Sequence, residues 1–198
     1  MSKVYIYGAS GHGKVVADIA LSCNYKNIIF IDDGENNHPN FETIINDAPV
    51  ALAIGDNKIR EKIYNKLINS GFSVISLIHP SAVISSSATI GEGSVVMAAT
   101  IVNAEAKVGK GVILNSSCVV EHDCIIEDFV HISPKVALAG DVKVGRLSHI
   151  GIGSVAIQGV RIGLKSIVGA GSVIVRDIPS FSKAYGNPAK VIKDTKDA

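Results

Sequence analysis

From Ser81 onward the chain repeats itself every six residues, a period that no α-helix has. Written in sixes, the run SAVISS, SATIGE, GSVVMA through KSIVGA, GSVIVR places an aliphatic residue fourth in every copy, from Ile84 and Ile90 to Val168 and Ile174. Two residues earlier the side chain is always Ala, Ser, Thr, Cys or Val, and the residue after the aliphatic one is often glycine, as at Gly91, Gly109, Gly145, Gly151, Gly163 and Gly169. One large interior residue, one small interior residue and a glycine-tolerant corner per repeat describe a parallel β-helix. Each hexapeptide makes a short strand, and three of them close one triangular coil of 18 residues. Ile84 to Ile174 then spans five coils, rising about 24 Å at the ~4.8 Å spacing of strands. Glycine is expected at the corners for backbone angles that a Cβ resists. The period alone leaves the hand of the coil open.

The residues ahead of the repeat alternate strands and helices. "KVYIY" reads as an apolar strand, "GASGHG" as a glycine-rich turn, "KVVADIALSC" as a helix and "NIIFIDD" as a second strand ending in acids. "PVALAIG" adds a strand, "DNKIREKIYNKLINSG" a helix that starts near Asp56 or Asn57 and stops at Gly71, and "FSVISLI" a last short strand. This order predicts a small parallel, Rossmann-like sheet flanked by helices. The chain therefore divides into an α/β unit over 1–78, a β-helical prism over 79–178 and a capping segment with a tail over 179–198. A stacked prism exposes unpaired strand edges at both ends. The α/β unit is expected to cover one, and "DIPSFSKAYGNPAKVIK" the other.

Composition narrows the functional classes. A net charge of +1 without any Lys/Arg-rich run argues against nucleic-acid binding, which needs a dense basic footprint. No apolar run approaches the ~20 residues of a membrane span, and "MSKVYIYGASGHGK" enters a strand pattern without a signal-peptide layout. A cytoplasmic protein is expected. Cys23, Cys118 and Cys124 are odd in number and form no C-x-x-C pair, which fits a reducing compartment and buried structural thiols. Charge is uneven: residues 1–134 hold 9 Lys/Arg against 14 Asp/Glu, and residues 135–198 hold 10 against 4, or −5 and +6. The C-terminal part, with its basic tail, suits a polyanionic ligand.

The 18-residue coil turns the sequence into a map. In "VVEHDCIIEDFVHIS", His122 stands between Ala104 and Gly140, small neighbours that leave an opening for a ligand. An imidazole takes up a proton near neutral pH, and a carboxylate beside it orients the ring and stabilises the imidazolium. Glu121 and Asp123 are both candidates, and either pairing requires a corner, because neighbours on a strand point to opposite sides. His131, nine residues on, lies beneath His149 and above Ile113 on a different face, so His122 and His131 meet only if prisms pack side by side. His149 reads as a surface histidine. In the α/β unit, Gly8-Ala-Ser-Gly-His-Gly13 is a strand-to-helix turn able to hold phosphate on backbone N–H groups. It is not the dinucleotide G-x-G-x-x-G pattern. Asp32 and Asp33 end the next strand, where an acid commonly accepts from a sugar hydroxyl.

The hexapeptide block, together with "VYIYGASGHGKVVADI", "IIFIDD", "LAIGDNKIR", "NSSCVVEHDC", "FVHISP" and "AYGNPAKVI", resembles the sugar O-/N-acyltransferases of the left-handed β-helix class. Within that family the likeness is greatest to the UDP-amino-sugar N-acetyltransferases of bacillosamine synthesis, which serve bacterial protein glycosylation. The resemblance implies a homotrimer, with acetyl-CoA in the cleft between neighbouring prisms and a UDP-sugar on the α/β unit. By matching motifs it implies His122 as general base and Asp123 as its partner. It further implies His131, Gly140, Ile152 and Ala170 near CoA, and Ser10, Gly11, His12, Asp32, Asp33 and Gly55 near the UDP-sugar. The expected product is UDP-N,N'-diacetylbacillosamine, with no metal required. Relatives carry His-Glu where this chain has His122-Asp123, a carboxylate one methylene shorter. Three other readings stand beside it. One is O- or N-acetylation of another sugar, such as sialic acid or perosamine. Another is a trimeric zinc lyase using His122, His131 and His149. The last is a non-catalytic nucleotide-sugar sensor.

Overall fold

The computed structural model of the protein describes residues 2–194. Strand β1 (Lys3–Tyr7) lies at the centre of a three-stranded parallel sheet between β2 (Asn27–Ile31) and β3 (Val50–Leu52). It is buried on both faces because its residues alternate between two cores. Val4 and Ile6 pack with Val16, Ile19 and Ala20 of α1 (Gly11–Ser22). Tyr5 and Tyr7 pack with Tyr64 and Leu67 of α2 (Asn57–Asn69). Asp56 caps α2 by accepting from the Ile59 N–H at 2.8 Å, satisfying one orphan donor of the first turn.

The segment "FSVISLI" is not a strand of this sheet. Val74 makes only an isolated parallel bridge to Val50, and Leu77–Ile78 pairs with Val95–Val96 as the first strand of the prism. Ile78 stands six residues before Ile84 and Ser76 two before Ile78, so this stretch already obeys the hexapeptide rule. The prism then winds as three parallel sheets. The first runs from Leu77–Ile78 through Ile113–Leu114, His131–Ile132 and His149–Ile150 to Ile167–Val168, the second from Val83–Ile84 to Val173–Ile174, and the third from Thr89–Ile90 to Arg161–Ile162. The aliphatic and small positions together line one continuous core. Where the small residue is serine, its buried hydroxyl is paired twice: Ser148 Oγ donates to the Gly163 carbonyl at 2.7 Å and accepts from the Ser166 N–H at 2.9 Å.

The expected reason for the corner glycines is wrong. Positive φ recurs at every sixth residue from Gly93 to Gly171 and is tolerated there by Ala99, Glu105, Asp123 and Lys165 among others, whereas Gly91, Gly109, Gly145, Gly151 and Gly163 are not among the positive-φ residues. A Cβ at Gly91 would lie 2.5 Å from the backbone of Gly109, and one at Gly151 2.6 Å from the Ala170 nitrogen. These glycines answer to the close approach of the next coil, not to a backbone angle.

At the C-terminal end, Ser182–Gly186 pairs in parallel with Ile167–Val168, then turns back as an antiparallel hairpin with Ala189–Asp194. Residues 195–198 of the expected tail lie outside the described residues. The α/β unit does not cover the opposite end. It lies against the outer side of the first sheet, because the outward column there is apolar: Leu77, Val95 and Ile113 join the core of β1 and α1, and Phe129 and Leu147 join that of Tyr64. Ile84 and Ile90, at the uncovered end, stay half-buried. Among the described residues no helix is long and apolar enough to cross a membrane.

Two glycine substitutions separate the two demands. Gly151→Ala drives a Cβ into the next coil and should cost about 1–3 kcal/mol. Gly153→Asn, at φ +67° with nothing within 4 Å of the added Cβ, should be tolerated, since Asn adopts that conformation readily. Urea denaturation of both variants measures the difference.

Candidate functional site

His122 and Asp123 occupy the corner after strand Val119–Val120. Asp123 has φ +60°, which breaks the strand alternation and brings its side chain to the same side as the imidazole. The Asp123 carboxylate lies 2.7 Å from His122 Nδ1. The choice left open by the sequence is thereby made: the Glu121 carboxylate turns to the His122 backbone N–H, at 3.4 Å, and Asp123 reaches the ring despite its shorter side chain. Both residues are well exposed. The hydrogen bond to Asp123 raises the pKa of His122 above the ordinary histidine value, with smaller contributions from Glu121 and Asp141. Nδ1 facing a carboxylate leaves Nε2 as the basic nitrogen.

Gly140, one coil on, has a specific part. A Cβ there would lie 2.5 Å from both Cε1 and Nε2 of His122. The space above Gly140 is therefore filled by the imidazole itself, rather than kept open for a ligand as the sequence suggested.

A second cluster lies at the junction of the α/β unit with the prism. His131 and His149 stack face to face, with ring centres 4.6 Å apart and planes 7° from parallel. His149 is not a free surface side chain: it is half-buried, and its Nε2 meets Ser133 Oγ at 2.8 Å. The Asn115 amide oxygen accepts from the Ser116 N–H at 2.8 Å, which orients the amide and leaves its nitrogen to donate to His131 Nε2 at 3.2 Å. His131 is thus neutral with its proton on Nδ1. Burial, then His149, Arg60 and His12, push its pKa down to about 3. His12 falls to about 4 through burial and Arg60, and its Nε2 is buried without a hydrogen-bond partner. His149 is lowered by the same two causes. The backbone of Gly55 also interacts with His131. The structure thus brings His12, Gly55 and His131 together across the two units, whereas His122 stands on another corner of the prism.

The glycine-rich turn and the acidic strand end also meet. Asp32 accepts from the backbone N–H groups of Ala9, at 2.8 Å, and Gly34, at 2.9 Å. Asp33 is occupied by its own chain: it accepts from the Tyr7 hydroxyl at 2.5 Å and the Phe41 N–H at 2.9 Å, and pairs with Lys66 at 3.1 Å. Ser10 is the N-cap residue of α1 without a side-chain cap bond, and Gly11 is exposed beside it with nothing within 4 Å of its Cβ direction. Ile152 and Ala170 are exposed on successive coils of one corner. Among the described residues no group of three or more His, Cys, Asp or Glu side chains is placed to hold a metal.

Arg60 and Asn57 escaped sequence reasoning. Their signal was present: Asn57, Arg60, Tyr64 and Leu67 form the buried stripe of α2, so two polar residues fall at helical spacing on a face that should be apolar.

A hexapeptide prism with an α/β unit docked on its side, a histidine–carboxylate pair on one corner and a histidine stack at the junction defines a two-unit protein of the β-helical transferase type. The sequence profile of the PglD N-terminal domain matches residues 3–67. UDP-N-acetylbacillosamine N-acetyltransferase of Bacillus subtilis (strain 168) is 38% identical over 113 residues, 50% of this chain and 52% of that protein, so the chain aligns with about half the length of this relative. The acetyltransferase domain of PglB from Neisseria gonorrhoeae FA1090, in complex with acetyl coenzyme A, is 40% identical with a TM-score of 0.90 over 96% of this chain and 98% of that one. PerB from Caulobacter crescentus, in complex with CoA and GDP-perosamine, is 38% identical with a TM-score of 0.90 over 98% of both chains. The chain belongs to the hexapeptide-repeat sugar N-acetyltransferases.

The lowered pKa values of His12, His131 and His149 have a consequence for stability. In the unfolded chain these rings protonate near pH 6.5, while in the folded protein they resist protonation to lower pH. The unfolded state therefore binds more protons as pH falls below about 6.5, and stability is lost on acidification. The urea midpoint should drop between pH 7.5 and pH 5.5, and drop less in His131→Asn.

Proposed function

We propose that the protein uses acetyl-CoA to acetylate the 4-amino group of a UDP-linked 4-amino-4,6-dideoxy-N-acetylhexosamine, giving UDP-N,N'-diacetylbacillosamine. The observation that carries this reading is the exposed His122–Asp123 pair, with Nε2 left as a base. A thioester is already activated, so the reaction needs no enzyme nucleophile. It needs a positioned amine and a group to take its proton. The sugar amine attacks the thioester carbonyl, a C–N bond forms, His122 Nε2 takes the amine proton, and the tetrahedral adduct expels the CoA thiolate. Asp123 stabilises the imidazolium that results.

His131, Ile152 and Ala170 are assigned to the CoA side, with Gly140 acting there through the His122 ring that it makes room for. Ser10, Gly11, His12, Asp32, Asp33 and Gly55 are assigned to the nucleotide sugar, with Asp33 acting through Tyr7 and Phe41 rather than with a free carboxylate. One prism keeps His122 and His131 on different faces, so the proposed working form is a homotrimer with its sites in the clefts between chains. Exposed Val83, Ile125 and Val155 on the prism walls suit such packing. The excess of basic residues after Lys135 complements the phosphates of CoA. A cytoplasmic setting, where acetyl-CoA and nucleotide sugars are made, completes the proposal.

A GDP-linked amino sugar is the second reading, favoured by the likeness to PerB, which covers nearly all of both chains. It keeps the same base and the same acyl donor.

Thiol release from acetyl-CoA separates these readings. With a UDP-4-amino-4,6-dideoxy sugar, GDP-perosamine, UDP-GlcNAc and sialic acid as acceptors, turnover is expected with the first alone, and preference for GDP-perosamine selects the second reading. His122→Ala should lose about 10²- to 10⁴-fold in kcat; near-normal turnover would remove His122 from the mechanism. Gly140→Ala pushes on the ring, and a displacement of about 1 Å is worth roughly 10²-fold. Because Asp123 raises the His122 pKa, kcat/KM should fall on the acid side through a pKa above the ordinary histidine value, and Asp123→Asn should move that limb to lower pH.

A further inference from the structure

Arg60 is among the largest fully buried side chains, with 1% exposure. Among the described residues it has no ion-pair partner; Asp56 acts on it only at longer range. Burying an unpaired guanidinium costs several kcal/mol unless its donors are satisfied. Here every nitrogen is satisfied, and the acceptors are the informative part. Nε donates to the Gly111 carbonyl at 2.6 Å. Nη1 donates to the carbonyls of Ile54 at 3.0 Å and Gly55 at 3.1 Å. Nη2 donates to the Phe129 carbonyl at 2.9 Å and to Asn57 Oδ1 at 2.8 Å. Asn57 in turn donates to the carbonyls of Leu147 and Ser148, both at 3.0 Å.

Gly111, Phe129 and Leu147 occupy one corner on three successive coils. That corner leads into His131 and His149. Ile54 and Gly55 follow β3, at the carboxyl end of the sheet, where open α/β sheets bind ligands. We infer that Arg60, oriented by Asn57, is a positioning residue that fixes the loop at Ile54–Gly55 against the coil corners ahead of the histidine stack, so that the nucleotide-sugar loop and the stack hold one geometry. The inference deepens the proposed function, on which the identity of the loop's ligand rests. The guanidinium has a second effect on the same cluster, because its charge opposes protonation of His12, His131 and His149. The fork and the charge are separable: lysine keeps the charge without the planar fork, and methionine removes both at similar volume.

The experiment is steady-state kinetics and imidazole NMR titration of the full chain carrying Arg60→Lys, Arg60→Met or Asn57→Ser. In all three, KM for the nucleotide sugar should rise about tenfold or more, while the acid limb of kcat/KM, assigned to His122 on another corner, stays in place. Arg60→Met should raise the His131 and His149 titrations by the guanidinium's share alone, with burial still holding them below the ordinary range, and Arg60→Lys should leave them as in wild type. Simple structural glue would lower the melting temperature and leave KM for the nucleotide sugar as in wild type, which overturns the inference. If Arg60→Met does not fold, the Lys and Asn57→Ser variants carry the KM test. If wild type releases no thiol with any sugar nucleotide, the proposed function fails instead. The inference is then decided by hydrogen exchange: faster exchange at Gly55 and Asp56 in Arg60→Lys, with prism amides unchanged, supports it, and unchanged exchange overturns it.

Discussion

Each rung of this molecule is a backbone hydrogen bond from one coil to the residue about 18 positions on, as from the Val95 N–H to the Val112 carbonyl or from His131 to Ser148. Strands in a parallel ladder lie ~4.8 Å apart, and that spacing governs the rest. It sets which glycines cannot carry a side chain, since Gly91, Gly145 and Gly151 lie against the backbone of the coil that follows. It aligns aliphatic positions into one core. It also places His131 directly over His149 at ring-stacking distance. Val74 bridges back to Val50 in the α/β sheet rather than to a coil, and the α/β unit uses the outward column Leu77, Val95 and Ile113 as a packing surface.

The protein holds two kinds of histidine, and burial with charge explains the difference. His122 is exposed and tied to Asp123, so its charged form is favoured. His12, His131 and His149 are withdrawn from water beside a guanidinium, so their neutral forms are favoured. Opposite shifts within one chain are a usual mark of divided roles in proton transfer and ligand contact. Burial pulls the Arg60 pKa down to about 9, which still leaves it cationic at neutral pH.

Much of this was legible from the hexapeptide period, because a fixed repeat converts spacing in sequence into adjacency in space. The relation of His122 to Gly140, and of His131 to His149 and Ile113, could be read at 18-residue intervals. What could not be read was whatever crosses between units. The docking side of the α/β unit depends on the shape of two surfaces, so the expectation that it covered the prism end failed. The helical spacing of Asn57 and Arg60 with Tyr64 and Leu67 marks them as buried, but their partners, Gly111, Phe129 and Leu147, are main-chain carbonyls, which have no signature in the sequence. The choice of Asp123 over Glu121 turned on a left-handed backbone angle at a corner, although the same position in other repeats carries glycine.

The corner holding His122 has one more property. Asp123 N–H is bonded to the Ala104 carbonyl on the coil before, at 3.0 Å, and the His122 carbonyl receives the Asp141 N–H from the coil after, at 2.9 Å. The imidazole therefore projects from main chain pinned on both sides, and its ring is held in turn by Asp123. In the proposed reaction, protection of a proton in flight from bulk water falls to the bound ligands and to any neighbouring surface, and the lifetime of the reactive geometry is a matter of how long those stay in place.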